Sequence, residues 1–279
     1  MKSCFFLHNP KAGGTAVREQ LARHFGRAST APAMTLLPNV YRRGGPPEIP
    51  QGYRFYGDHF GYDDYLSLGA KHTLITNFRH PATRILSLYN YFRHGVAETS
   101  EVREAPEYFA VRLAKTAGFA TFVASDDPRV TTYTHDFHFR QLARSGWSLD
   151  SSAPVEEVFA RVDRLAWYYV CEYPMLSVLW GREALAMPSL AIGAANVTPG
   201  SADPTSGLLG IDELTFARLM AHNPRDLMVY AHALMRFFQV IATLTRTEAR
   251  QDPAVRPARA DRPWVNDTTR VLEAGRAAG

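Results

Sequence analysis

The first 25 residues constrain the fold more than any other stretch of the chain. Cys4–His8 is an unbroken apolar run closed by a histidine, the pattern of a short strand covered on both faces. Asn9–Gly14 carries Pro10, Gly13 and Gly14, which make it a turn-forming loop. From Thr15 onward, Val17, Leu21 and Phe25 recur at every fourth position and give a helix one apolar stripe. A buried strand that passes through a glycine loop into a helix is the opening unit of an α/β fold.

Later segments repeat the alternation. Tyr53–Tyr56 reads as a short strand leading into Gly57-Asp58-His59-Phe60, and His72–Phe78 as a second buried strand. A helix follows with Pro81 at its first position, where a missing N–H costs nothing; Ile85, Leu86, Leu88, Tyr89 and Phe92 give it a broad apolar face. Residues 105–180 read as mostly helical, with one strand near Tyr168–Cys171. Ala28–Gly52 and Pro188–Leu208 are Pro- and Gly-punctuated loops. Asn223 is expected to cap a helix starting at Pro224, with Leu227, Tyr230, Leu234, Phe237 and Ile241 as its buried stripe. The expectation is a three-layer α/β sandwich with a central parallel sheet and a P-loop-like phosphate-binding loop, spanning residues 1–245. Residues 246–279 form a polar, Arg-rich tail, expected to be partly disordered.

With 279 residues, 46% of them hydrophobic, the chain can bury a sizeable core without disulfides or metals. Cys4 and Cys171 both lie in apolar surroundings and read as core thiols. A formal net charge of +4 suits an anionic ligand, and neither a basic run nor an aromatic-rich motif points to nucleic acid. No segment reads as a transmembrane span and the first residues are too short for a signal peptide, so the expected location is cytoplasmic and the expected source bacterial.

The chemistry concentrates at two loops. In the first, Gly13 and Gly14 allow close backbone approach, the helix start offers free N–H groups, Lys11 adds a mobile cation and Thr15 a hydroxyl. The loop is not the GxxxxGK[ST] signature, because Lys11 precedes the glycines instead of following them. A magnesium-dependent nucleoside triphosphatase is therefore disfavoured. In the second, Arg79 would project from the end of a strand and Ser87 lies two helical turns further on; together they can hold one phosphate. Arg84 rivals Arg79 for that role; Arg79 could instead form a structural salt bridge, Arg84 be a plain surface charge and Ser87 a helix-surface residue. Two anion sites on neighbouring strands suit a nucleoside phosphorylated at both ends.

Phe6-Leu7-His8-Asn9-Pro10-Lys11-Ala12-Gly13-Gly14-Thr15 resembles the 5′-phosphosulfate loop of sulfotransferases of the heparan sulfate 2-O-sulfotransferase type. The segment Asn77 to Tyr89 resembles that family's 3′-phosphate motif, R-x-P-x-x-R-x-x-S-x-Y, and Gly57-Asp58-His59-Phe60 resembles its G-x-H-F/Y segment. Weaker echoes are Arg140-Gln141-Leu142, Ala195-Asn196-Val197-Thr198, and Asn223, Asp226 and Tyr230. Ala12 departs from the frequent Thr.

The resemblance implies transfer of a sulfuryl group from 3′-phosphoadenosine 5′-phosphosulfate to a hydroxyl of a carbohydrate or glycolipid acceptor, with no metal required. His59 would be the general base and Lys11 would stabilise the leaving group. Lys11, Ala12, Gly13, Gly14 and Thr15 would hold the 5′-phosphate, Arg79 and Ser87 the 3′-phosphate, and Asn196 and Thr198 would close over the donor. Arg140 would contact an acidic acceptor, its alternative being an ordinary surface charge. Asp58 could be a rival base, orient His59 or contact the acceptor. Two other readings use the same loops: a kinase-like phosphotransferase, and a nucleotide- or glycan-binding module without catalysis. His135 and His138 lack the HxxxH-with-carboxylate spacing of a zinc site, and Trp167, Tyr168 and Tyr169 read as core.

Overall fold

A computed structural model describes residues 1–32, 49–149, 152–193 and 210–251. The chain divides into two compact units, Met1–Gln239 and a second that begins at Val240. In the first unit, β1 (Cys4–Leu7), β2 (Phe55–Asp58), β3 (Thr73–Phe78) and β4 (Trp167–Val170) form one all-parallel sheet in the order β2-β1-β3-β4. The fold is α/β, as the alternation of apolar strands and periodic helices requires. All four residues of β1, β2 and β4 are buried.

The register positions the site. Leu7 lies opposite Asp58 on one side and Thr76 on the other, so β1 and β2 end level while β3 runs two residues further, to Asn77 and Phe78. From β1 the chain crosses outward to β2, and from β3 in the opposite direction to β4. The carboxyl ends of β1 and β3 therefore flank the crevice where ligands of such sheets bind. β2 begins two residues later than the apolar pattern suggests. Pairing with Cys4–Leu7 decides its limits and draws Gly57 and Asp58 into the strand.

Twelve helices are present among the described residues. The site uses α1 (Gly14–Phe25), α2 (Tyr62–Ser67) and α3 (Pro81–Asn90), the last continued by one π-helical turn, Tyr91–Gly95. Between β3 and β4 follow α4 (Ser100–Glu104), α5 (Phe109–Thr116), α6 (Phe119–Val123), α7 (Pro128–Thr134), α8 (Phe137–Ala143) and α9 (Val155–Arg164). A second core of Leu88, Phe92, Phe122 and Tyr133 joins α3, its π-helical turn, α6 and α7. The chain then forms α10 (Pro174–Ala184), α11 (Glu213–Ala221) and α12 (Pro224–Gln251).

Two helix starts cap each other. Asp136, in the left-handed region at φ 42, accepts the N–H of Arg225 at 3.0 Å and of Asp226 at 2.9 Å. Asp226 in turn accepts the N–H of Phe139 at 2.7 Å and of His138 at 3.4 Å. Each carboxylate satisfies orphan donors on the other's helix. Asn223 does not cap its own helix as expected. Its side chain accepts from the N–H of Asp136 and donates to the Leu219 carbonyl, and Asp136 supplies the cap. Asp226 points inward, and the buried stripe of α12 keeps the expected Tyr230, Phe237 and Ile241, adds Val229 and Ala233, and leaves Leu227 and Leu234 half-buried. The stretch Pro224–Thr247 is also long and apolar enough to cross a membrane by length and composition, contrary to the expectation that no segment is.

Arg84 and Arg140 are both buried, which corrects the surface-charge reading of each. Arg84 donates to the Tyr133 carbonyl at 2.9 Å, and the negative charges of Asp226 and Asp136 support its cation against burial. Arg140 donates to the carbonyls of Thr132, His135, Gly146 and Ser148. Its guanidinium holds together the turns around α8, so it stands in the protein interior and not toward an acceptor.

Replacing Asp226 with Ala strands two buried N–H groups and removes a charge that supports Arg84. The expected loss is about 2–4 kcal/mol, read from the denaturant midpoint; an unchanged midpoint would deny the reciprocal cap its role.

Candidate anion-binding and proton-transfer site

The loop after β1 is held from β3. The Asn77 side chain accepts the Asn9 N–H at 2.8 Å and donates to the carbonyls of Asn9 and Ala12, each at 2.9 Å. Two carbonyls on one side require the amide nitrogen there, which fixes the orientation of the Asn77 amide. Arg79 donates to the Lys11 carbonyl at 3.0 Å. Three loop carbonyls are thus turned toward β3. The first N–H groups of α1 have no partner within the helix, and Gly13 ahead of them provides no side-chain cap. That end of the helix is electropositive.

Packing demands both glycines. Gly13 sits at φ 76, and a Cβ there would lie 2.8 Å from the Tyr169 ring. A Cβ on Gly14 would lie 2.1 Å from Cδ2 of His8 and 2.9 Å from the Asn77 amide nitrogen. Lys11 itself is left-handed at φ 64, a strained state for a residue with a side chain.

His59 follows β2 and is half-buried. Its Nδ1 lies 2.8 Å from the carbonyl oxygen of His8. A carbonyl only accepts, so Nδ1 carries the proton and Nε2 of the neutral ring keeps its lone pair. The His8 and His59 rings lie 4.5 Å apart. Burial lowers the pKa of both; Asp58 partly offsets this for His59, while Arg18 and Lys11 add to it for both. Asp58 accepts the His59 N–H through Oδ1 at 2.8 Å, so one carboxylate oxygen orients the His59 backbone.

Cations outnumber acids around these rings. Lys11 is half-buried, and burial, with Arg79 nearby, lowers its pKa to about 8. Its Nζ stands 4.3 Å from the centroid of the Tyr91 ring. Arg18, one turn into α1, donates to the Gly57 carbonyl at 2.6 Å.

At the second loop, Arg79 also donates from Nε to Thr83 Oγ1 at 3.2 Å. Ser87 lies on α3, half-buried, one turn before Tyr91. Glu172, just past β4, was not foreseen. Its Oε1 accepts the His80 N–H at 2.8 Å and thereby occupies the start of α3. The carboxylate also faces Tyr230, whose hydroxyl pKa is raised by burial and then by Glu172. Thr15 is on the first turn of α1 and half-buried. Asn196 and Thr198 lie outside the described residues.

Lys11, Ala12, Gly13, Gly14, Thr15, Asp58, His59 and Arg79 thus gather at the carboxyl ends of β1, β2 and β3. Arg140 does not join them. Sequence reasoning missed Asn77, Arg18, Gln141, Trp147 and Glu172. Asn77 alone left a signal, as a polar amide inside the apolar run TLITNF. His135 and His138 part company: the first ring lies 4.2 Å from His222 and the second 4.4 Å from Phe78. Among the described residues no group of three or more His, Cys, Asp or Glu could hold a metal ion. Compared with protein-family models and with curated proteins, the sequence matches none of either.

Gly14→Ala is expected to displace the His8 ring, because the new Cβ has no room. A stability loss of about 1–3 kcal/mol should accompany a shifted His8 imidazole resonance. Thermal denaturation and NMR of the variant check this, and wild-type values in both would contradict the close packing.

Proposed function

We propose that the protein is a sulfotransferase that moves a sulfuryl group from 3′-phosphoadenosine 5′-phosphosulfate to a hydroxyl of a carbohydrate or glycolipid acceptor. The reading treats the fold as a three-layer sandwich with a P-loop-like phosphate loop, and the nucleotide as a co-substrate. One observation carries it: a histidine with its Nδ1 proton committed to the His8 carbonyl, and Nε2 therefore free to accept a proton, stands beside a lysine at an uncapped helix start. The pairing suits chemistry that takes a proton from a nucleophile while an anionic leaving group departs.

In the proposed step the acceptor oxygen attacks sulfur in line. The bond between sulfur and the bridging oxygen breaks, and the hydroxyl proton passes to Nε2 of His59. The Lys11 ammonium offsets the charge growing on the bridging oxygen. The N–H groups at the start of α1, with Gly13, Gly14 and Thr15, hold the 5′-phosphate. The part of the Arg79 fork beyond its bonds to Lys11 and Thr83, together with Ser87, meets the 3′-phosphate. Catalysis of this kind is mostly positioning and charge stabilisation.

Calorimetric titration with 3′-phosphoadenosine 5′-phosphate, against AMP and ATP without added metal, tests the donor. Strong preference for the 3′-phosphorylated ligand is expected; no binding, or a magnesium-dependent preference for ATP, would overturn the proposal. His59→Ala should lower turnover about 10²–10⁴-fold while sparing binding of that ligand, and full activity would remove His59 from the mechanism.

The pH profile follows from the two groups. His59 must be neutral to accept a proton, and its pKa is lowered, so activity should persist below the ordinary histidine value of about 6.5. Lys11 must be charged to meet the donor, so donor affinity should fall as pH rises through about 8. A Lys11→Arg variant that binds the donor product should lose the alkaline fall in affinity. A fall unchanged in that variant would assign the limb to another group.

A further inference from the structure

Gln141 lies on α8 with none of its surface exposed. Its Nε2 donates to the His8 carbonyl at 3.1 Å and to the Phe60 carbonyl at 2.7 Å. The His8 carbonyl is the one that also receives Nδ1–H of His59, and Phe60 is the residue after His59. Both amide protons are therefore spent on carbonyls that flank the imidazole. With two acceptors on that side, the nitrogen must face them, and Oε1 points away without a partner. An unpaired buried carbonyl oxygen is costly, and a leucine or methionine of similar size would avoid that cost. The polar group nonetheless does what an apolar side chain cannot, which is to decide where two carbonyls point.

The surroundings complete the restraint. The N–H of His8 donates to the Asp58 carbonyl at 3.0 Å, joining the ends of β1 and β2. Trp147 donates from Nε1 to the His59 carbonyl at 3.0 Å, and its ring lies edge-on to the imidazole at 6.1 Å. The two peptides that follow His59 and the acceptor of its ring proton are thus each tied to α8 or to the turn that follows it, while the peptide before His59 is held by the His8 N–H and the Asp58 carboxylate.

We infer that Gln141 is the positioning residue for His59, aligning the His8 and Phe60 carbonyls so that the imidazole is held as the Nδ1–H tautomer with Nε2 bare. In water the two neutral tautomers of a histidine interconvert freely. Here the ring proton has one carbonyl to go to, and Gln141 keeps that carbonyl in place. The inference rests on the proposed role of His59 as base, but the tautomer itself can be read without donor or acceptor.

Imidazole nitrogen NMR of the unmodified protein at neutral pH should show His59 protonated at Nδ1 and bare at Nε2. The opposite tautomer would overturn the inference without any variant. Gln141→Leu should mix the two tautomers and lower kcat at least tenfold, while affinity for 3′-phosphoadenosine 5′-phosphate stays within twofold. In a His59→Ala background the same substitution should cause no further loss, since it acts only through His59. A folded Gln141→Leu protein with an unchanged tautomer and kcat, or a further multiplicative loss in the His59→Ala background, would refute the assignment. If Gln141→Leu fails to fold, Gln141→Met replaces it with the same expectations. Failure of 3′-phosphoadenosine 5′-phosphate to bind the unmodified protein would defeat sulfuryl transfer; the tautomer measurement would still decide whether the restraint exists.

Discussion

The side-chain amide of Asn77 is the interaction on which the rest of the site depends. It reaches from the part of β3 that outruns β1 and satisfies one N–H and two carbonyls of the loop. A fully buried polar side chain with three such bonds is worth far more in place than its net contribution suggests, because removing it strands every partner. The amide also dictates direction. Once the carbonyls of Asn9 and Ala12 face β3, and Arg79 draws in that of Lys11, the start of α1 is left to present N–H groups. The strained φ of Lys11 and the crowding at Gly14 follow from the same clamp.

The charges in the crevice have a physical logic apart from any substrate. Lys11 and Arg18 both bear on the His8 and His59 rings, Arg79 bears on Lys11, and burial weakens the screening between these charges. Burial first, and this repulsion after it, depress the pKa of Lys11 and of both histidines. An anion entering the crevice would relieve that repulsion, so part of its affinity comes from a cost already present in the empty site. Glu172 divides the space. By occupying the start of α3 it places a negative charge there, whereas the start of α1 and the rest of the Arg79 fork carry no such carboxylate hydrogen bond among the described residues.

Much of this was legible in the sequence, for reasons particular to each element. The strands β1 and β3 are covered on both faces, so they read as continuous apolar runs, and the loop between β1 and α1 is marked by its glycines. His59 was readable as a candidate only through the resemblance of Gly57-Asp58-His59-Phe60 to a sulfotransferase segment. What escaped were contacts between residues far apart in the chain: Gln141 to His8, Glu172 to His80, Arg18 to Gly57. No periodicity encodes them, because register and crossover topology alone bring them together. Arg84 and Arg140 were misjudged for a related reason. A lone arginine in a helical stretch resembles a surface charge, and only tertiary contacts show what meets it inside, the charges of Asp226 and Asp136 for Arg84 and four backbone carbonyls for Arg140.

The polar residues of α12 show how such long-range pairing serves the site. Asp226 fixes the first turn of α8 by accepting from His138 and Phe139, and Asp136 fixes the first turn of α12 in return. A helix as short as α8, seven residues, is marginal by itself. Its position comes from this exchange of caps and from the four carbonyls gathered by Arg140. One turn after those caps, α8 carries Gln141 to the His8 carbonyl, and the turn beyond it carries Trp147 to that of His59. The late Asn223 and Asp226 are therefore linked to the early His59 through α8. Asn223 and Asp226 build the support for the element that holds its imidazole, while Tyr230 faces the carboxylate that occupies the start of α3.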